Sequence, residues 1–139
     1  MILITHEKLL VGDIVSETRG DDKGGGVTFL GTIRDTTDNH RVLYLEYEAY
    51  GLMAEKLLKE LVAEVERKSP DVRASVAHRL GRLEIGEISM VVVVASPHRA
   101  EAFKICNFMV DQIKSNVPIW KKEVFETGEV WVGLHSSSA

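Results

Sequence analysis

The chain has 139 residues, of which 45% are hydrophobic, with one cysteine and a formal net charge of −4. That is enough apolar material for one core of ordinary size, and a single thiol excludes an intrachain disulfide or a thiolate metal cage. An acidic balance gives no bulk attraction for nucleic acid, so any anion site must be a local cluster of cations. The opening Met1-Ile2-Leu3-Ile4-Thr5-His6-Glu7 lacks a basic segment followed by a long apolar one, so it does not read as a signal peptide. The longest apolar run, Met90 to Ala95, is too short to cross a bilayer. A reducing, cytoplasmic location is therefore expected.

No repeat or linker divides the chain, which reads as a single domain over 1–135 with a frayed tail at 136–139. Ile2 to Thr5 predicts a short strand, and Gly12 to Arg19 a short helix. Asp21 to Gly26 ends in three glycines and predicts a turn or loop. Val27 to Ile33 predicts a strand ending at Arg34, and Asp35 to Arg41 is polar and loop-like. Val42 to Tyr50 alternates, with Val42, Tyr44, Glu46, Glu48 and Tyr50 on one side and Leu43, Leu45, Tyr47 and Ala49 on the other. Gly51 to Lys68 predicts an amphipathic helix whose apolar stripe is Met53, Leu57, Leu58, Leu61, Val62 and Val65.

Val72 to His78 and Ile88 to Ala95 predict strands, the second valine-rich and central, with a turn over Gly81 to Gly86 between them. Ser96-Pro97 predicts the start of a second long helix, with serine as N-cap and proline at the first helical position. Phe103, Cys106, Met109, Val110 and Ile113 form its expected buried face. Lys114 falls in its last turn, and Pro118 stops it. Ile119 to Phe125 reads as extended, and Gly128 turns the chain into Glu129 to Val132. Adjacent strands mixed with strand–helix alternation favour an α+β fold over a doubly wound sheet.

Cations stand near element ends at Arg34, His98-Arg99, Lys114 and Lys121-Lys122. A capping box would place an acid or amide three residues after Ser96, but Arg99 stands there. A cation at a helix N-terminus is unfavourable unless an anion binds with it; otherwise the arginine turns into solvent or pairs with Glu101. Lys114 and Lys121 lie seven positions apart with Pro118 between them. The chain must turn there, so the two amines can converge, depress each other's pKa and favour a neutral lysine fit for proton transfer or attack. The alternative is a pair of solvated lysines. The five histidines form no metal-ligating pair. Trp120 and Trp131 suit a core or interface, Gly24-Gly25-Gly26 lacks the pattern of a phosphate-binding loop, and Cys106 sits on an apolar helix face where packing is its natural role.

Five strings, in order, resemble the molybdopterin synthase large (catalytic) subunit family: VTFLGTIRD at Val27–Asp35, LEYEAYGLMAEK at Leu45–Lys56, AHRLGRLEIGE at Ala77–Glu87, ASPHRAEAFKI at Ala95–Ile105 and DQIKSNVPIWKKE at Asp111–Glu123. The resemblance implies an α/β hammerhead-like body with an additional antiparallel β subdomain. It implies a homodimer at the centre of a heterotetramer, each copy binding a small ubiquitin-like sulfur-carrier subunit whose C-terminal Gly-Gly carries a thiocarboxylate. The implied reaction is sulfur transfer to cyclic pyranopterin monophosphate, giving the dithiolene of molybdopterin, with no bound cofactor or metal. Matched residue by residue, it implies Lys114 and Lys121 as the catalytic pair. Thr32, Ile33, Arg34, Lys122 and Glu123 would join them in contacting substrate, and His98 with Arg99 would hold its phosphate. Phe29 is placed beside the partner's tail. Asn39-His40-Arg41 depart from the glycine that many relatives carry before the next strand. The competing reading is a non-catalytic module that binds a phosphorylated ligand or an acidic partner tail.

Overall fold

The computed structural model describes residues 1–132, and side-chain surroundings as far as Val130. The expected frayed tail and the last three residues of the expected domain lie outside them. The chain runs β1 (Ile2–Thr5), α1 (Val11–Thr18), β2 (Gly25–Thr32), β3 (Thr36–Thr37), β4 (His40–Ala49), α2 (Gly51–Lys68), β5 (Arg73–Arg79), β6 (Gly81–Glu84), β7 (Ile88–Ser96), α3 (Arg99–Asn116), β8 (Ile119–Phe125) and β9 (Gly128–Val132).

One sheet has the order β1-β5-β7-β2, with β1 parallel to β5 and the other pairs antiparallel. The valine run of β7 is buried on both faces, which is why it shows no polar alternation. Met90, Val92 and Val94 meet α2 and α3, whereas Val91 and Val93 pack with Ile14 of α1 and with Leu9 just before it. Each such valine contributes about 1.5–3 kcal/mol by leaving water. The second sheet is antiparallel: β4 pairs with β8 on one side, β9 continues beyond β8, and β3 and β6 also pair with β4. This is the α+β body with an added antiparallel subdomain that the sequence implied.

Several local expectations are corrected. Gly25 and Gly26 are not loop but strand, paired with Ser96 and Ala95. The glycines are there for proximity: a β-carbon at Gly24 would lie 2.7 Å from the Pro97 carbonyl oxygen, and one at Gly25 2.8 Å from the Arg99 α-carbon. Asp35 to Arg41 is a β3–β4 hairpin, turned by Asp38 and Asn39 at φ 50° and 65°. Gly81–Glu84, expected as a turn, is a strand on β4, because its backbone fills the ladder opposite Tyr44–Tyr47.

The expected alternation of β4 breaks at a bulge between Val42 and Tyr44, so Val42 joins Leu45 in one core with Ile33 and Leu83. Ser96 does not cap α3, because it ends β7. His98 is the N-cap residue, and no side chain caps the helix there. The buried stripe of α3 is Ala102, Cys106, Met109 and Ile113, leaving Phe103 61% exposed, and Ala54 replaces Met53, which is 57% exposed, in the stripe of α2.

Candidate functional site

Strand β8 leaves α3 just after Val117 and Pro118, and a hydrogen bond from the Tyr50 N–H to the Pro118 carbonyl ties its start to β4. Register then fixes the chemistry. Lys121 lies opposite Tyr47 and Glu123 opposite Leu45, while Lys122 lies opposite Glu46 and Trp120 opposite Glu48. Side chains alternate along a strand, so Lys121 and Glu123 share the inner face and Lys122 the outer one.

On the inner face the Lys121 side chain is 14% exposed and the Glu123 side chain 3%, with Nζ 3.8 Å from Oε1. Two further cations converge there: Arg34, which follows β2, and Lys114, in the last turn of α3. Burial pushes the Lys121 ammonium below the usual lysine range; Glu123 opposes that shift, while Arg34 and Lys114 add to it. Tyr47 forms the floor. Burial raises its phenol, a hydrogen bond to Ser89 counters this, and Glu123 raises it further. Its ring meets His78 edge-on at 4.9 Å between centroids. His78 is wholly buried, its Nδ1 2.8 Å from the Arg79 carbonyl, and burial lowers its pKa to about 4. A half-dry amine among cations, with a carboxylate behind it, gives up its proton more readily than an ordinary lysine and still draws in an anion.

The structure thus brings Arg34, Lys114 and Lys121 together. Lys122 faces the other way, in ion pairs with Glu46 at 3.0 Å and Glu129 at 3.5 Å. Thr32 is exposed, and Ile33 turns its side chain into the core. Phe29 is half-buried against α3. Cys106 is buried there too, and burial raises its thiol against a backbone hydrogen bond from Phe29. His98 and Arg99 are exposed at the other end of α3. Fifteen positions separate Arg99 from Lys114 (114 − 99), about 22 Å of helix. One chain does not unite the two cation pairs. Reading by residue type missed Glu123 as a buried counter-ion and Tyr47 as a floor; the signal for both was strand alternation around Lys121.

Among the described residues, no group of three or more His, Cys, Asp or Glu side chains could hold a metal, and no helix is long and apolar enough to cross a membrane.

A family model described as MoaE protein matches residues 4–116. Over 130 residues the chain is 40% identical to the molybdopterin synthase catalytic subunit of Halalkalibacterium halodurans, covering 94% of this chain and 83% of that one. It is similar to the X-ray crystal structure of molybdopterin synthase from Staphylococcus aureus, with a TM-score of 0.90, 38% identity and coverage of 94% and 96%. A chain in the complex of subunits 1 and 2 of molybdopterin-converting factor from Helicobacter pylori has the same fold, with a TM-score of 0.78, 21% identity and coverage of 94% and 89%.

Proposed function

We propose a reaction for this site from the fact that the chain belongs to the MoaE family, whose curated members are molybdopterin synthase catalytic subunits. The chain transfers sulfur from the thiocarboxylate tail of a small partner subunit to cyclic pyranopterin monophosphate, in the cytoplasm. The observation that carries this reading is Lys121: an amine buried beside Glu123, under the field of Arg34 and Lys114. A thiocarboxylate and a phosphate are both anions, and a cluster of three cations attracts either. As the sulfur bonds to the pterin and water takes its place at the acyl carbon, leaving a carboxylate, protons must be relocated. Lys121 is fitted for that by its depressed pKa, and Lys114 is fitted to orient the acyl group. The same depressed amine favours the enzyme over a module that only binds anions.

The reading assigns the substrate phosphate to His98 and Arg99, at the uncapped N-terminus of α3. Because about 22 Å of helix separates them from Lys114 in one chain, the complete pocket takes these two residues from a second copy of the chain. Arg34 and Thr32 line the lysine side, and Phe29 borders the path of the partner's tail. Ile33 and Glu123 support the pocket from the core, and Lys122 holds β8 to Glu46 and Glu129. The test is incubation with pyranopterin phosphate and thiocarboxylated partner. Dithiolene should form, and should not form with Lys121→Ala; no product from the unmodified chain would overturn the reading.

A further inference from the structure

The string AHRLGRLEIGE at 77–87 gives no side chain to the cation cluster, yet it surrounds the residue that precedes Arg34. The Arg34 side chain makes no hydrogen bond or ion pair among the described residues, and it is exposed. A long side chain with no partner is located by its backbone alone. That backbone is held tightly. The Ile33 N–H donates to the Glu87 carbonyl at 3.1 Å, and the Gly86 N–H donates to the Ile33 carbonyl at 2.9 Å. On the far side, the Asp35 carbonyl accepts from the Val42 N–H at 2.8 Å.

The turn that grips Ile33 is closed by one side chain. Glu87 Oε1 accepts from the Glu84 N–H at 2.8 Å, while its Oε2 pairs with Arg79 Nη1 at 3.0 Å. The Glu87 N–H also donates to the Glu84 carbonyl at 3.1 Å, and Gly86 adopts φ +84°. The ion pair is sheltered, with side-chain exposures of 18% and 33%, so it is little screened. One carboxylate therefore joins β5, through Arg79, to the turn before β7, and the turn clasps Ile33 by both its N–H and its carbonyl.

We propose that Glu87, clamped by Arg79, is a positioning residue for Arg34: it fixes the 84–87 turn, the turn fixes Ile33, and Ile33 aims the guanidinium at the Lys121 site. This rests on the functional reading above only for its effect on turnover. The position of Arg34 also has a readout that needs no substrate, because Arg34 is one of the groups that depress the Lys121 amine, alongside Lys114 on α3 and against Glu123 on β8, with Tyr47 on β4 facing them.

The experiment follows the Lys121 titration by NMR of lysine-labelled protein, with its signal assigned by Lys121→Arg. Arg34→Ala should move that titration upward. Glu87→Ala should move it in the same direction, and should add nothing in the Arg34→Ala background. Gly86→Ala perturbs the same turn without touching a charge. A β-carbon there meets no atom within 4 Å, so strain at positive φ is its whole effect. It should act as Glu87→Ala does, more weakly, and it covers the case in which loss of Glu87 unfolds the chain. In the assembled enzyme, kcat/KM should fall roughly tenfold to a hundredfold for Glu87→Ala, chiefly through KM, as for a misplacement on the order of 1 Å. Glu87→Gln should recover part of the loss, since it still accepts from Glu84. An unmoved Lys121 titration in both turn variants, or equal shifts with and without Arg34, would overturn the proposal. Full turnover by Arg34→Ala with a shifted titration would instead remove Arg34 from the functional reading and leave the positioning intact.

Discussion

The two ends of helix α3 carry cations in opposite ways. At the N-terminal end His98 and Arg99 are exposed, no side chain caps the helix, and two glycines let β2 lie against its first residues. At the C-terminal end Lys114, also exposed, adds its charge to the field at Lys121, whose amine is sheltered beside a buried carboxylate and opposite Tyr47. A wet cation over free backbone N–H groups holds an anion without changing it. A half-dry amine with a depressed pKa can exchange protons with one. On the proposed function, the contrast is a division of labour, in which one end of the helix binds and the other does chemistry.

The sharpest way to break the comparison is to remove the amines. Lys121→Ala, and Lys114→Ala nearly as much, should lower the rate of single-turnover sulfur transfer by roughly a hundredfold or more, as loss of a proton-transfer group does, while the chain stays folded. Turnover near that of the unmodified chain would end the assignment. The Lys121 limb of the pH–rate profile should lie below that of an ordinary lysine, because burial and the neighbouring cations lower its pKa.

The dryness of the C-terminal end predicts acid sensitivity. His78 touches the Tyr47 ring and has a folded pKa of about 4, below its ordinary value of 6.5. The unfolded chain therefore binds a proton that the folded chain refuses. Stability from this group is complete above pH 6.5 and falls by about 3 kcal/mol as the pH drops towards 4. Denaturant titrations across that window measure the slope, and His78→Phe should flatten it; an unchanged slope would mean that His78 is not what titrates.

The binding end should respond more gently. Arg99→Ala should weaken substrate binding by about 1.5–3 kcal/mol, the loss of one charge-assisted contact, with little change in the melting temperature; calorimetry reads both. Mixing Arg99→Ala and Lys121→Ala copies should restore some activity, since a mixed pair of copies has one pocket with both features intact. The mildest change is Lys122→Ala on the outer face of β8. Its partly sheltered pairs with Glu46 and Glu129 predict under about 1 kcal/mol of stability lost and near-normal kcat; a large fall in kcat would move Lys122 into the chemistry.

Much of this was legible in the sequence because it lay in periodicity. The helix at Gly51–Lys68 was read with its observed ends, and the valine run of β7 was read as a buried central strand. The approach of Lys114 to Lys121 followed from Pro118 turning the chain between them. What escaped depended on partners distant in sequence. Gly81–Glu84 is short and polar enough to pass for a turn, and only the ladder with β4 makes it a strand. Gly24 and Gly25 read as a loop because the backbone they make room for lies more than seventy positions on. Glu123 was expected to contact substrate, and its burial beside Lys121 emerges only once register places it opposite Leu45. That Arg99 and Lys114 belong to opposite ends of one helix was countable, but it becomes a constraint only once that helix is seen to be unbroken.

The pairing of β4 with β8 also has a cost in time. Tyr47 and Lys121 face each other across 74 positions (121 − 47), and the intervening chain must fold into α2, β5, β6, β7 and α3. Contacts between residues so far apart form late, because the loop-closure entropy is lost before the ladder forms. During synthesis β4 emerges from the ribosome long before β8, so the side of the strand that will receive the lysine stays an open template for mispairing. The lysine pocket therefore comes into being as one of the last acts of folding.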